Sequence, residues 1–247
     1  MIIDAYNNVW EAQEDGGSAY LTGRSFSFDT IVEDMDEAGV DKAVACSLGQ
    51  DIDNDYIRNG IRRYPDRIIG FGQVNPRDED AAEQARVCFE EYDFDGLKLH
   101  PTMHGYHFAD HDLLDPVFEI LADYGAVAIV NALDDQFVSP LRIEEIAKDH
   151  PDVPVLIAHM GTVWDVTEAI LVANRTDNIY LETSVATTLD VSMAYEDVGP
   201  EKIIMGTDWP ADRFERERLK IEHAIPDEDD RRLVEGENLA RLLGIDA

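Results

Sequence analysis

Four residues of types that perform acid–base or electrophilic chemistry stand where short apolar runs end: Asp208, His159, His100 and Lys98. An aspartate can act as a general base toward water. Imidazole and ammonium groups can bind an anion or polarise a carbonyl oxygen, which stabilises the oxyanion that forms when water attacks. Lys98 and His100 are two residues apart, so their side chains face the same side of a strand. The sequence therefore predicts these four as the catalytic residues.

Hydrogen-bonding and aromatic residues stand at other run ends and are predicted to bind the substrate. They are Tyr6, Asn8, Asn131, His104 and Trp209. Two of them have structural alternatives. His104 forms a group with His107 and His111 that favours solvated loop histidines, and Trp209 suits packing under a loop as well as an aromatic wall.

Charged residues also have structural alternatives. Lys98 would equally serve to neutralise Asp208. Glu182 is either a pocket residue or the partner of a lysine on a neighbouring strand. Asp4 is expected to be structural, as a cap or an ion-pair partner, because it does not end a strand.

Short apolar runs alternate with amphipathic stretches along the whole chain. The predicted strands cover residues 2–10, 42–48, 67–74, 96–100, 126–132, 153–159, 179–184 and 203–208, and predicted helices cover 30–39, 80–92, 114–124, 141–149, 166–173 and 229–243. Alternation of this kind predicts βαβ units with a parallel sheet. Eight units in 247 residues, without a linker, predict one closed (β/α)8 TIM barrel spanning 1–247 as a single domain.

The barrel prediction explains where the polar residues stand. In such barrels the chemistry lies at the carboxyl ends of the strands and on the loops that follow. Strand bodies stay apolar here while their ends are polar, and a buried core has no reason to repeat that pattern, because each buried polar group needs a partner. The segment 11–28 after the first strand is expected to form a loop over the pocket mouth. A GxGxxG motif after that strand is absent, which argues against a dinucleotide-binding fold.

The composition is strongly acidic, with 53 Asp and Glu against 20 Lys and Arg and a net charge of −33. Acidic residues spread along the whole chain favour a protein that works in concentrated salt, as in a halophilic cytoplasm, over an acidic partner-binding protein. The same charge disfavours nucleic-acid binding. The sequence shows no apolar run long enough for a membrane span and no signal-peptide pattern, so a cytoplasmic location is expected. Cys46, in an apolar run, is expected to be a buried thiol.

Several motifs together resemble the amidohydrolase-related family of the amidohydrolase superfamily. They are Met1-Ile2-Ile3-Asp4, Gly96-Leu97-Lys98-Leu99-His100-Pro101, Ile157-Ala158-His159-Met160-Gly161, Gly206-Thr207-Asp208-Trp209-Pro210 and the closing run from Glu237 to Gly244. The resemblance implies a barrel that houses a metal-dependent hydrolase or a non-oxidative decarboxylase. His159 and Asp208 match the histidine of strand six and the aspartate of strand eight. Tyr6 and Asn8 replace the His-x-His pair of strand one, and Asn131 replaces the histidine of strand five.

These replacements remove the nitrogen ligands that the family uses for its metal. Catalytic zinc usually has three protein ligands, and neither asparagine nor a protonated tyrosine substitutes for imidazole. His100, His159 and Asp208 would make three, but the ammonium of Lys98 beside them disfavours a cation unless it is carbamylated. We therefore expect no cofactor, with at most a weakly bound divalent metal at His159 and Asp208.

Three functions follow from these expectations. The first is a hydrolase of a small lactone, ester or amide, with Asp208 as the base and with His159, His100 and Lys98 polarising or binding the substrate. The second is a catalytically inactive barrel that binds a small molecule. The third is decarboxylation of an aromatic acid, against which the missing metal ligands count. The partner expected in each case is a small molecule, and the sequence allows a homo-oligomer.

Overall fold

The structure, a computed structural model, describes residues 1–11, 25–133, 136–162 and 164–246. Eight strands run in chain order around a barrel: β1 Ile3–Asn8, β2 Lys42–Cys46, β3 Ile68–Gln73, β4 Gly96–Leu99, β5 Val127–Asn131, β6 Val155–Ala158, β7 Ile179–Glu182 and β8 Ile203–Ile204. Every neighbouring pair from β1 to β8 is parallel. This confirms the (β/α)8 TIM barrel predicted from the alternating pattern.

The barrel closes between β8 and β1 through single hydrogen bonds rather than a long ladder. The amide of Ala5 donates to the carbonyl oxygen of Met205 at 2.9 Å, and the amide of Asp208 donates to that of Tyr6 at 2.8 Å. The short β8 and its extension therefore bring the Asp208 end of the chain against the end of β1. This is the junction at which residues from the first and last strands meet.

Helices cover the outside of the barrel. They are α1 Phe28–Ala38, α2 Asn54–Arg63, α3 Ala81–Glu90, α4 Pro101–His104, α5 His111–Tyr124, α6 Pro140–Asp149, α7 Val166–Arg175, α8 Thr188–Val198, α9 Phe214–Ala224, α10 Glu228–Arg232 and α11 Asn238–Leu243. The first begins where the Ser27 side chain accepts a hydrogen bond from the amide of Thr30, and it ends at Gly39 in the left-handed conformation. No helix among the described residues is long and apolar enough to cross a membrane.

The apolar core has two layers, as expected when a barrel is wrapped by helices. One cluster fills the barrel interior, with Ile3, Phe71 and Leu156 on the strands and Leu239 on α11. A larger cluster lies between the strands and the outer helices. Cys46 is buried and free, as predicted. Strand bodies are thus apolar on both faces, which leaves the carboxyl end of the barrel as the place where polar residues collect.

The structure differs from the sequence prediction in the length of the eighth strand and in four helices that the sequence did not predict. The eighth strand was expected over 203–208 but ends at Ile204, because the residues after it turn across the end of β1. Helices α2, α4, α8 and α9 were not predicted. Helix α2 buries only Ile57 and Gly60, and α9 carries many charges and has Glu217 among its four buried residues, so the hydrophobic periodicity of both is weak. The predicted helix 229–243 is three segments, with a π-helical stretch at Leu233–Glu237 between α10 and α11. Residues 12–24 of the predicted loop lie outside the described residues.

Candidate active site

A cavity of about 320 Å³ opens at the carboxyl end of the barrel. Seven of the nine residues predicted as catalytic or substrate-binding line it: Tyr6, Asn8, Lys98, His100, Asn131, His159 and Asp208. Six residues not predicted complete the lining: Leu48, Gly49, Gln50, Thr102, Met103 and Leu133. Most of these come from the loop after β2 and from α4, whose apolar members carried no chemical signal in the sequence.

One wall of the cavity, which we call the charged wall, consists of Lys98, Asn8 and Asp208. The ammonium group of Lys98 is almost fully buried and donates to Asn8 Oδ1 at 2.6 Å and to the carbonyl oxygen of Ser47 at 3.0 Å. The amide nitrogen of Asn8 donates to Asp208 Oδ1 at 2.7 Å. A buried cation is therefore linked to the carboxylate through a single amide.

The carboxyl group of Asp208 has a strongly raised pKa. Burial raises its pKa to about 7, while Lys98 and the hydrogen bond from Asn8 act in the opposite direction. The residue stays partly exposed toward the cavity. Its backbone is in the left-handed region, with φ of 58°, a conformation that costs free energy and concentrates at functional sites. A general base with a pKa near neutrality fits this description.

A second group of residues, which we call the relay wall, consists of Tyr6, Asn131 and His159, with Ser184 behind them, and presents uncharged groups to the cavity. The amide nitrogen of Asn131 lies 2.9 Å from the Tyr6 hydroxyl oxygen and 2.9 Å from His159 Nε2. The rings of Tyr6 and His159 meet edge to face, with centroids 5.1 Å apart. His159 Nδ1 in turn lies 2.8 Å from the hydroxyl oxygen of Ser184.

Glu182 stands behind the relay wall and is fully buried. Its carboxylate accepts the Ser184 hydroxyl at 2.7 Å, the Ser184 amide at 2.8 Å and the His159 amide at 3.0 Å. Burial raises its pKa to about 7, against the effect of these hydrogen bonds. The pairing with a lysine that the sequence allowed is not what the structure shows, because the contacts of this carboxylate are with a hydroxyl and two amides.

His100 lines the cavity as a neutral imidazole. Burial, followed by the nearby charge of Lys98, lowers its pKa to about 2. Its Nδ1 is buried without a hydrogen-bond partner among the described residues. The loop after β2 passes so close to the ring that a Cβ on Gly49 would lie 2.3 Å from His100 Cδ2, so this position requires glycine.

Two residues predicted to bind the substrate do not line the cavity. Trp209 is buried and its indole nitrogen donates to Asp34 Oδ2 on α1 at 2.8 Å, so it packs toward the outer helices, which agrees with the packing alternative that the sequence left open. His104 stands one layer behind the lining, where its Nε2 lies 2.9 Å from the carbonyl oxygen of Gly49. His111 is the first residue of α5 rather than a loop residue, and it pairs with Asp115 at 2.9 Å.

The residues that line the cavity are poorly suited to hold a metal ion. Among the described residues, no group of three or more His, Cys, Asp or Glu side chains is placed to hold a metal ion. Lys98 presents an ammonium to Asn8 Oδ1, and Asn131 presents an amide nitrogen to His159 Nε2. Both contacts occupy atoms that a metal would otherwise use.

Comparison with known proteins adds two findings. A family model for amidohydrolases matches residues 5–245. No significant match to the sequence of a curated protein was found.

Several solved structures share the fold over nearly the whole chain at low sequence identity. The structure of 5-carboxyvanillate decarboxylase from Sphingomonas paucimobilis has a TM-score of 0.75 at 16% identity, covering 99% of both chains. That of a probable 2-pyrone-4,6-dicarboxylic acid hydrolase from Acinetobacter baumannii, with citric acid bound, has a TM-score of 0.78 at 17% identity and 99% of both chains. A dihydroxybenzoic acid decarboxylase from Polaromonas, with bound manganese, has a TM-score of 0.75 at 17% identity, covering 98% of this chain and 96% of that chain.

Proposed function

The chain belongs to the amidohydrolase family, and on that premise we propose that it hydrolyses a small carbonyl compound, a lactone, ester or amide, without a transition metal. Asp208 is the general base and Lys98 supplies the fixed positive charge. The observation that carries the proposal is the charged wall: a buried ammonium joined to a poised carboxylate through Asn8. A cation of this kind stabilises a developing oxyanion in a water-poor site.

The residues present do not fit the metal that the family implies. Three of the family's nitrogen ligands are Tyr6, Asn8 and Asn131 here. Asn8 Oδ1 accepts the Lys98 ammonium, and the lone pair of His159 Nε2 faces the amide nitrogen of Asn131. Among the described residues that line the cavity, a divalent cation would find a carboxylate at Asp208 and an unpartnered imidazole nitrogen at His100, beside an ammonium, and two ligands are too few for a tight site.

The proposed reaction runs through water. Asp208 removes a proton from a water molecule, and the hydroxide oxygen forms a bond to the carbonyl carbon as the carbonyl π electrons move to oxygen. Asn8 and Ser47 accept from the Lys98 ammonium, which lines the cavity, and its positive charge stabilises the oxyanion. When the carbonyl is restored, the bond to the leaving oxygen or nitrogen breaks, and the proton on Asp208 passes to the leaving group.

In this proposal His159 and His100 act as neutral imidazoles and not as cations. Burial, together with Lys98, lowers the pKa of His159 to about 3, and His100 is neutral as well. Neither ring supplies positive charge near neutral pH. His159 orients Asn131, and His100 forms a neutral side of the cavity with an unpaired Nδ1.

The structural relatives support the fold and leave the reaction to experiment. One relative is by its name a hydrolase of a pyrone, which is a cyclic ester, and others are decarboxylases. We favour hydrolysis because a base near pKa 7 beside a fixed ammonium is what activation of water requires.

A substrate panel tests the proposal. Purified protein in molar salt, chosen for its acidic composition, is assayed on lactones, esters, amides and aromatic acids, with the products identified. We expect ring-opened or cleaved products with one water added, and a loss of turnover of about 1,000-fold or more in Asp208→Asn. Asp212→Asn, a nearby acid that pairs with Arg216, is the matched control. Release of CO₂, binding without turnover, or full activity in Asp208→Asn would each overturn the assignment.

A further inference from the structure

The relay wall and Glu182 form one hydrogen-bonded chain of five side chains with a single direction. In order they are Glu182, Ser184, His159, Asn131 and Tyr6. We propose that Glu182 is a positioning residue that fixes this direction, so that Tyr6 donates its hydroxyl hydrogen into the cavity. The use of that hydrogen on a substrate oxygen rests on the proposed function, whereas the direction itself does not.

The direction follows from the donors at the middle of the chain. Asn131 Nδ2 carries two hydrogens and lies 2.9 Å from both the Tyr6 hydroxyl oxygen and His159 Nε2. Because Nε2 accepts a hydrogen, the neutral ring of His159 carries its own hydrogen on Nδ1. Nδ1 then donates to Ser184 Oγ at 2.8 Å, and the serine hydroxyl donates to Glu182 Oε2 at 2.7 Å.

Glu182 anchors the chain once it is ionised, because an ionised carboxylate can only accept. Burial raises its pKa to about 7, so the direction holds above that pH. Two backbone amides, from His159 and Ser184, donate to it as well, so its orientation is fixed on both oxygens. No described residue forms an ion pair with it. A fully buried carboxylate with hydrogen bonds but without a cation is costly, and it polarises any chain of donors that points toward it.

Tyr6 is the other end of the chain. Its oxygen accepts from Asn131, so its own hydrogen is directed elsewhere, and the side chain lines the cavity. The ring is held between His159, edge to face, and the Lys98 ammonium, 5.1 Å from the ring centroid. Burial and the negative charge of Asp208 keep the pKa of Tyr6 well above its usual value, so the hydroxyl remains a donor.

The reversed chain is less favourable. If the Asn131 amide were turned by half a rotation, its oxygen would accept from Tyr6 and from a hydrogen on His159 Nε2. The Ser184 hydroxyl would then donate to Nδ1, and Glu182 would lose its side-chain donor. Asn131 would also place two N–H hydrogens where its oxygen now lies without a partner, among the described residues. Such uncompensated donors and a bare carboxylate oxygen oppose the reversal.

The sequence makes room for this carboxylate at one position. A Cβ on Gly206 would lie 2.1 Å from Glu182 Oε1. Gly206 stands two residues before the base Asp208, so the same segment admits the anchor and carries the base.

The tautomer of His159 tests the direction without any substrate. In two-bond ¹H–¹⁵N correlation spectra of labelled protein, recorded well above the Glu182 pKa of about 7 and with the ring assigned through its loss in His159→Gln, we expect the Nδ1–H form. Ser184→Ala cuts the chain and Glu182→Gln replaces the anchor, and both should lower the Nδ1–H population. Glu217→Gln changes another buried carboxyl that lies outside the chain, so its spectrum should match the parent.

Tyr6→Phe tests the end of the chain. This change should leave the Nδ1–H tautomer intact and lower kcat by about 100-fold, the size seen when one oxyanion donor is removed, with a smaller change in KM. An Nε2–H tautomer in the parent protein, or an unchanged tautomer in both Ser184→Ala and Glu182→Gln, would overturn the proposal. Absence of turnover on every substrate would overturn the proposed function while leaving the tautomer result standing.

Discussion

The two walls of the cavity use the same residue type in opposite ways. In the charged wall, Asn8 accepts from Lys98 through its oxygen and donates to Asp208 through its nitrogen, so it joins a cation to an anion. In the relay wall, Asn131 donates in both directions, to Tyr6 and to His159. Both amides line the same cavity. The comparison shows that one type of side chain can build two different hydrogen-bond networks.

The difference lies in where the charge sits. The charged wall places a buried ammonium and a carboxylate at the cavity itself. The relay wall keeps its charge on Glu182, behind Ser184, and presents only neutral groups to the cavity. Changes in the charged wall should therefore alter rate and pH dependence together, whereas changes behind the relay wall should alter rate or stability alone.

Among the changes that test the difference between the two walls, removal of the Lys98 ammonium should have the largest effect on activity. Lys98→Met retains the length of the side chain but leaves the oxyanion and Asn8 Oδ1 without a cation. We expect kcat/KM to fall by about 100-fold or more, as for loss of an oxyanion donor. Lys42→Met, at a lysine that donates to the carbonyl of Asp66 at the other end of the barrel, is the control and should retain activity. Equal activity in the two variants would remove Lys98 from the mechanism.

The pH profile should report the charged wall. Asp208 must be ionised to act as a base, so activity is present above its pKa of about 7 and falls by about tenfold for each pH unit below it. Burial raises this pKa and Lys98 opposes the rise, so Lys98→Met should move the acidic limb to higher pH. The shift is measured from kcat/KM at on the order of ten pH values between pH 5 and pH 9 for each protein. An acidic limb at the same pH in Lys98→Met and in the parent would contradict the electrostatic coupling of Lys98 to Asp208.

Crowding of the relay anchor should mainly affect stability. Gly206→Ala would place a Cβ 2.1 Å from Glu182 Oε1, and overpacking of a filled interior costs about 1–3 kcal/mol of unfolding free energy. Denaturant unfolding measures this loss. Because the strain falls on the relay wall, the acidic limb of the pH profile should remain that of the parent, and a shifted limb would contradict the separation of the two walls.

The smallest effect is expected from Glu217, which lies beyond both walls on α9. Burial raises its pKa to about 8, although Lys220 and Thr183 act against this. The folded chain therefore binds this proton more tightly than the unfolded chain, and the group destabilises the fold increasingly as pH rises toward 8. Glu217→Gln should gain stability relative to the parent between about pH 5 and about pH 8, as melting temperatures would show. A difference that is constant over this range would contradict the raised pKa.

The sequence predicts the barrel and most of the cavity for identifiable reasons. Buried parallel strands have short apolar runs, and the polar residue at the end of each run must lie at the same rim, so Lys98, His159 and Asp208 could be placed together without coordinates. Helices such as α2 and α9 were missed because each buries only a narrow stripe in a charged sequence. The helical periodicity of apolar residues is a weak signal in such segments.

The sequence does not predict which side chains in and around the cavity form hydrogen bonds with one another. Trp209 follows the base directly but turns outward, because Asp208 has a left-handed backbone and the indole nitrogen reaches Asp34 on α1. The roles of Ser184 and Glu182 depend on distances of 2.7–2.8 Å between side chains at the carboxyl ends of β6 and β7. A polar residue two positions from another on strand seven gives the only hint, since such residues share a face.

Metal content of the active protein tests the central claim most directly, namely that a fixed ammonium replaces the metal of the family. Protein purified in molar salt is analysed for transition metals before and after chelation, and turnover on the best substrate is measured on the same samples. The account predicts metal far below one equivalent per chain and the same turnover in both samples. One equivalent of a transition metal that is lost together with activity on chelation would contradict it.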